Sequence, residues 1–475
     1  MKIQEVKNAS PKEGVRLKII EKIAVGSGGL TGFLGNVAVK STAISFYQMM
    51  LGVNPALLGA LLAVPRFWDA FTDPVMGRIS DNFKSRFGRR RPFIFFGAIL
   101  MGLSFGSIWM VPTGWSEYSI AAWFLVSSLI FYTCYTVFAV PFMSLTLEVS
   151  SDYDERTSVM GYTSFFSKLG ELSYQWVVPI ASISYFSSTI VGVQTVCWGL
   201  ALFGMILCGC IPALFVKERY YELSQKKSAK VKKTTFVTAV KQTLNNRAFG
   251  ILIGLTILQI IAGILGSSLD YYLLVYYMFD GDIGEGSKWK AILSSGYAIM
   301  GFVGIPIVLK WSKRTSKLKV LRGIYLLVIL NSVMRWFLYQ PGNSWIILLD
   351  PVIGSLFWIA VGTVKQSMMA DICDQDEVEY GQRREGTFSS VFGWITKTAL
   401  SLSFFASGVI LEWIGFDVNL GGNQSSGTFL GMRLSMVLGG IVPSLMALVV
   451  LRYYPIDRKE SEENKRILES RRGVV

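Results

Sequence analysis

No histidine occurs anywhere in the 475 residues. That absence excludes Ser-His-Asp and Cys-His catalysis, histidine-ligated metals and haem, and any histidine proton switch. Charge is scarce as well: 16% of the residues are charged, against about 25% in ordinary soluble chains. The five cysteines (Cys134, Cys197, Cys208, Cys210 and Cys373) lie in or beside apolar segments, and their spacings suit neither a zinc site nor a disulfide framework. There is no Walker A loop, which excludes ATP hydrolysis by this chain. No nucleophile and base stand together, so the sequence offers no catalytic residue, reads as a non-enzyme and calls for no cofactor. What is abundant is hydrophobic: 52% of the chain, with a mean hydropathy of +0.45. Apolar runs of about 20 residues recur along its length, the signature of a polytopic helical membrane protein.

Twelve such runs are expected to be helices, near 23–50, 56–79, 93–112, 118–147, 158–186, 189–215, 249–279, 289–311, 320–340, 345–371, 385–413 and 427–453. At about 1.5 Å per residue each can cross a core of roughly 30 Å, the longer ones by tilting. The first 22 residues are polar and lysine-bearing, without the apolar stretch and cleavage site of a signal peptide. The net charge of +14 is concentrated in alternate loops: KSRFGRRR at 84–91, the stretch from Lys217, the stretch from Lys310 and the tail from Arg452. The other loops (113–117, 280–286, 341–344 and 417–427) are acidic or bare. By the positive-inside rule both termini are cytoplasmic, and the charge is a topology signal and a contact for anionic lipid headgroups rather than for nucleic acid. The chain divides into a tail (1–22), a six-helix bundle (23–216), a basic middle loop (217–248), a second six-helix bundle (249–453) and a second tail (454–475).

A faint repeat links the bundles. After the fourth run the chain reads SLTLEVSSDYDERT, with Glu148, Glu155 and Arg156; after the tenth it reads SMMADICDQDEVEYGQRREG, with Asp371, Asp374 and Arg383. Each has an acid four residues after a serine, then an acidic cluster, then arginine. Matching charges at the inner mouths of two bundles suggest that the bundles rock about a central site. Glu148, Arg156, Asp371 and Arg383 are the candidate cytoplasmic gate; a solvated interfacial loop is the plainer alternative.

Charges inside a bilayer cost at least ~2.5–3.5 kcal/mol each, so each needs a reason. PRFWDAFTDPVMG in the second run holds Arg66, Asp69 and Asp73. Spacings of three and four put them within about 60° on one helix face. Two carboxylates at that spacing repel unless a cation or proton lies between them. A salt bridge to Arg66 accounts for one acid but not both. Lys40 lies deep in the first run, where it either neutralises an acid of the second or contacts an acidic substrate. Lys168 and Glu171, three apart, form a candidate pair, and Lys397 lies in the eleventh run. Asp270, Arg335 and Lys365 read as nearer the membrane interfaces. GSGGLTGFLG at 26–35 imitates a phosphate loop, but it lies inside an apolar run and suits close helix packing instead. Trp176, Trp358 and Trp394 lie deep enough to stack on a sugar face.

RFWDAFTDPVMGRISDNFKSRFGRRRP resembles the signature of the glycoside–pentoside–hexuronide:cation symporters, the melibiose-permease-like branch of the major facilitator superfamily. VPFMSLTLE at 140–148, the stretch MMADICDQDEVEYGQRREG and the position of Lys397 carry the likeness on. The resemblance implies an all-α integral membrane protein with twelve transmembrane helices in two pseudo-symmetric six-helix bundles, the major facilitator fold. It implies a multi-pass, monomeric sugar symporter of the plasma membrane, the inner membrane in a bacterium. It places the coupling cation, Na+ or H+, at Asp69, Asp73 and Thr136, with Asp69 and Asp73 as metal ligands if the ion is Na+. Trp358 and Lys397 fall at its sugar site.

The departures matter as much. Where that branch carries acids for sugar hydroxyls in helices 1 and 4, this chain has Phe33 and Ala139, and Lys40 follows Phe33 by seven residues. A helix 5 arginine is replaced by Ser164, with Lys168 one turn on. The expected substrate is therefore an anionic saccharide, a uronide or sulfonated sugar, contacted by Lys40, Phe33, Arg66, Lys168, Trp358 and Lys397. A neutral glycoside or pentoside, or a lysolipid carried on the same fold, is the alternative.

Overall fold

The computed structural model describes residues 17–83, 85–112, 114–149, 153–216, 218, 245–342, 344–380 and 385–471. The described chain is almost wholly helical. Helices form at the expected runs: α1 (Ile19–Ala43), α2 (Pro55–Asn82), α3 (Arg91–Ile108), α4 (Glu117–Glu148), α5 (Tyr153–Gln175), α6 (Thr189–Phe215), α7 (Arg247–Tyr272), α8 (Ile283–Arg314), α9 (Lys317–Leu338), α10 (Leu349–Tyr380), α11 (Glu385–Trp413) and α12 (Ser426–Leu451). A further helix, α13 (Arg458–Arg471), lies in the second tail. Among the described residues, eight helices are long and apolar enough to cross a membrane: α3, α4, α6, α7, α8, α9, α11 and α12. The others, α1, α2, α5 and α10, are those that carry Lys40, the α2 acids, Lys168 with Glu171, and Lys365.

Short polar residues set the helix starts. Ser116, Ser188, Asn246, Asp282, Ser316 and Ser425 each cap the following helix by accepting a bond from the amide three residues on. The stretch from Lys310 is thereby folded into helix ends, with a turn at Thr315 and Ser316 between α8 and α9. The first helix of each half ends in the same uncommon way, in a π-turn: Ile44–Met50 after α1 and Leu273–Met278 after α7. That shared ending is a structural counterpart of the repeat.

Two compact units result. One is built from the described parts of Met1–Thr42, Trp68–Val177 and Tyr185–Val231; the other from those of Ala43–Phe67, Val178–Ser184 and Lys232–Val475. In the first unit small residues let helices close on one another. A Cβ at Gly28 would lie 2.3 Å from the Phe142 ring, one at Gly29 2.6 Å from Thr163, and one at Gly35 2.4 Å from the Tyr135 ring. The glycines at 26–35 are thus packing surface for α4 and α5. Thr31 Oγ1 donates to the Gly204 carbonyl (2.8 Å) inside the π-turn Ala201–Leu207 of α6. Glu218 accepts from the amides of Arg89, Arg90 and Arg91 (3.0, 2.8 and 3.1 Å), which ties the basic α2–α3 loop to the end of α6.

The second unit has an apolar core of Phe249, Leu252, Leu255, Ile324, Met368, Phe388 and Val391. Its π-turn neighbour is held by polar contacts. Ser45 Oγ and Ser287 Oγ both lie against Tyr271 Oη (2.6 and 2.7 Å), and Tyr272 donates to Gln48.

Candidate functional site

The first unit holds the acid site. Asp69 is wholly buried, and Asp73, one turn on, is partly exposed. Thr136 of α4 donates to Asp73 Oδ1 (2.9 Å), and Thr72 Oγ1 lies 3.4 Å from Thr136 Oγ1. A second α2–α4 bond, Trp68 Nε1 to Thr133 Oγ1 (2.9 Å), lies one turn before Thr72 on α2. Carboxylate and hydroxyl oxygens are the donor type that suits a hard cation, and a carboxylate can instead take a proton. Thr72 was not singled out by sequence reading, although it immediately precedes Asp73 in the motif.

The remaining candidates of this unit line α1 and α5. Lys40 is 7% exposed. Lys168 Nζ lies 2.5 Å from Glu171 Oε2, as the spacing implied. The Phe33 ring stacks on Tyr174, with centroids 6.3 Å apart and planes at 29°. Tyr174 had no sequence signal beyond lying one turn after Glu171. At the helix ends, Lys22 pairs with Glu155 (2.9 Å) and donates to Ser158. The gate candidates Glu148 and Arg156 have side chains outside the described residues.

The second unit contains the other candidates. Arg66 is 5% exposed, while the Trp358 side chain is open at 43%. Lys397 lies on α11, partly buried. Asp371 is held within its own unit: Lys317 Nζ lies 2.5 Å from Oδ2, and Ser461 of α13 donates to Oδ1 (2.9 Å). Arg383, the other gate candidate of this half, lies outside the described residues.

This unit also carries an ionic network that the sequence did not reveal. Asp350, wholly buried in the first turn of α10, accepts from Asn331 Nδ2 (2.6 Å), from Arg335 Nε (2.9 Å) and Nη2 (3.1 Å), and from Tyr297 Oη (2.9 Å) and Tyr339 Oη (3.3 Å). Lys290 of α8 lies 2.5 Å from Asp270 of α7. Asp270 and Arg335, which looked interfacial one at a time, are parts of buried pairs.

Comparison with known proteins decides the family. The model of the MFS/sugar transport protein family matches residues 24–458. The chain belongs to the MFS/sugar transport protein family. This family member is a membrane transporter, not an enzyme. It is 25% identical over 465 residues to the uncharacterized symporter YnaJ of Bacillus subtilis (strain 168), covering 97% of this chain and 96% of the relative. It is 24% identical to the sodium-dependent lysophosphatidylcholine symporter 1 of Gallus gallus (96% and 90% covered) and 23% identical to the isoprimeverose transporter of Lactiplantibacillus pentosus (89% and 85%). The crystal structure of a D-xylose-proton symporter superposes with a TM-score of 0.63 at 13% identity, covering 92% of this chain and 98% of that one, which establishes the major facilitator fold.

Proposed function

We propose that this transporter is a cation-coupled symporter of an anionic saccharide, working by alternating access between an outward- and an inward-open state. The observation that carries the coupling is the contact of Asp73 with Thr136 on α4, one turn from buried Asp69. Sodium or a proton bound there removes the repulsion between the two carboxylates, and the hydroxyls of Thr136 and Thr72 complete the oxygen set. Ion binding also organises the helices for the sugar, so the carrier switches either with both ion and sugar bound or with neither, and the ion gradient drives uptake.

The substrate class rests on charge and shape. Lys40 is buried on the same face of α1 as Phe33, which stacks on Tyr174 where related symporters carry sugar-gripping acids. An aromatic face beside a buried cation suits a sugar ring bearing a carboxylate or sulfonate. Relatives named for isoprimeverose and for symport agree with a saccharide cargo and a coupling ion. On the positive-inside reading both termini are cytoplasmic.

The test is counterflow into proteoliposomes loaded with neutral sugars, uronides or sulfonated sugars, with and without sodium. Uptake of an acidic sugar that rises with sodium supports the proposal with Na+ as coupling ion; uptake driven by a pH gradient alone makes the ion H+. Exchange of neutral glycosides only removes the acidic substrate.

One observation favours a second reading. An apolar groove of about 480 Å³ in the first unit is lined by Ile23, Ser158, Gly161, Tyr162, Phe165 and Phe166, the size and character for an alkyl chain, and one relative is named for lysophosphatidylcholine. Lysolipid uptake without sugar exchange would establish it.

A further inference from the structure

Inside the second unit, the seam between α7 and α10 carries three groups that an apolar helix interface does not need. Trp358 lies against Gly263, where a Cβ would come within 2.7 Å of the indole ring; the glycine leaves room for the ring, and the rest of the side chain is open. One turn earlier on α7, Gln259 is 1% exposed, and its Nε2 donates to the Phe357 carbonyl (3.1 Å). Its Oε1 is buried without a hydrogen-bond partner among the described residues. Another turn earlier, the Leu255 carbonyl accepts from Lys365 Nζ (2.9 Å). Lys365 is 0% exposed, and among the described residues no carboxylate is paired with it.

These groups form a line. Residues 255, 259 and 263 are spaced by four on α7, and residues 358 and 365 by seven on α10, so they run along one face of each helix. From aromatic to ammonium the line spans roughly 10 Å. Leu252, Leu255, Val364 and Met368, its neighbours along the two helices, belong to the buried apolar core of the unit. A leucine or methionine at 365 would fill such a site at no electrostatic cost, whereas an ammonium bound to one carbonyl is held at a penalty. The carbonyl is a poor reason to keep the charge, because an interior helical carbonyl already takes the amide four residues on.

We propose that Lys365 is the anion anchor of the substrate site. The ring of an acidic saccharide lies over Trp358, Gln259 Oε1 accepts one of its hydroxyls, and Lys365 exchanges the Leu255 carbonyl for the carboxylate or sulfonate. The four-carbon stem of the lysine gives the reach for that exchange. This inference rests on the anionic-saccharide reading and adds to it the residues that would select for charge.

The test uses the full-length protein in proteoliposomes and two probes differing only at C6, methyl β-D-glucuronide and methyl β-D-glucoside. The unsubstituted protein should prefer the glucuronide. Lys365→Met should cut that preference at least ten-fold by raising the KM for the glucuronide, leaving the KM for the glucoside within two-fold. Lys365→Arg should keep most of the preference. If Lys365→Met does not fold, Gln259→Leu serves: it should raise KM for both probes alike, and no change in either KM would overturn the site. A glucuronide preference that survives Lys365→Met overturns the anchor alone. Exchange of the glucoside only, or of neither probe by the unsubstituted protein, overturns the acidic-substrate reading and the anchor with it.

Discussion

Asp350 in the second unit and Asp73 in the first are carboxylates on membrane helices with opposite surroundings. Asp350 is wholly buried and takes five bonds from four side chains on α8, on α9 and just past the end of α9, the Arg335 guanidinium among them. Its charge is cancelled and its lone pairs are filled, so nothing is left for a ligand. Asp73 is partly exposed, and the bond it accepts from Thr136 comes from a neutral hydroxyl that can turn. A carboxylate satisfied by an arginine and three further donors holds helices together; one that is partly exposed and accepts from a threonine hydroxyl suits the coupling role proposed for it. The same residue type is structural in one unit and, on the proposed reading, bound to the coupling ion in the other, and the environment decides which.

The sharpest way to break this contrast is Asp350→Asn. It leaves Arg335 buried without its hydrogen-bonded countercharge, and the expected cost is about 3–5 kcal/mol of stability. Thermal unfolding of the detergent-solubilised protein reads it; an unchanged midpoint would mean that the network is not what holds α8, α9 and α10 together. Asp73→Asn should do the reverse. Stability stays within about 1 kcal/mol, while concentrative uptake is lost and equilibrium exchange persists. A variant that still accumulates substrate against a gradient would remove Asp73 from the coupling site.

The two carboxylates were not equally legible in the sequence. Asp69 and Asp73 stand out because spacing on one helix reveals a shared face, and the helix is fixed by its own apolar pattern. The glycines at 26–35 could be read as packing surface for the same local reason. Asp350 could not be read in this way, because its partners Tyr297, Asn331, Arg335 and Tyr339 lie on α8, on α9 and just past α9, and meet it only through tertiary packing. Asp371 teaches the same lesson. The local pattern of charges names no partner for it, whereas the fold supplies Lys317 and Ser461, 54 and 90 residues away. Lys365 looked like a residue near the inner interface, and only the packed core around it shows the depth of its burial. The helix α13 escaped notice because its composition is polar but for Ile467 and Leu468, and its seat on α10 is again tertiary.

Thr136→Val probes the contrast more finely. It removes one hydroxyl from the oxygen set without touching a charge. A bond to a charged group is worth about 1.5–3 kcal/mol, so the cation concentration for half-maximal uptake should rise roughly ten-fold or more. Thr136→Ser, which keeps the hydroxyl, should stay close to the unsubstituted protein. Equal behaviour of the two variants would mean that Thr136 packs against Asp73 without serving the ion.

The smallest effect belongs to the pair that looks most like Asp350 and Arg335 on paper. Lys168 and Glu171 lie 2.5 Å apart, but their side chains are 36% and 25% exposed and stand three residues apart on one helix. Such a pair crosses no helix interface, is screened by solvent and contributes only about 0.3–0.5 kcal/mol. Lys168→Ala should therefore leave the unfolding midpoint almost where it was. Its value is as a transport probe, because it removes a positive charge from the α5 helix without unfolding the unit. A fall in the affinity for methyl β-D-glucuronide, with that for methyl β-D-glucoside unchanged, would make Lys168 a second contact for the anion. Equal affinities before and after would confine Lys168 to its glutamate.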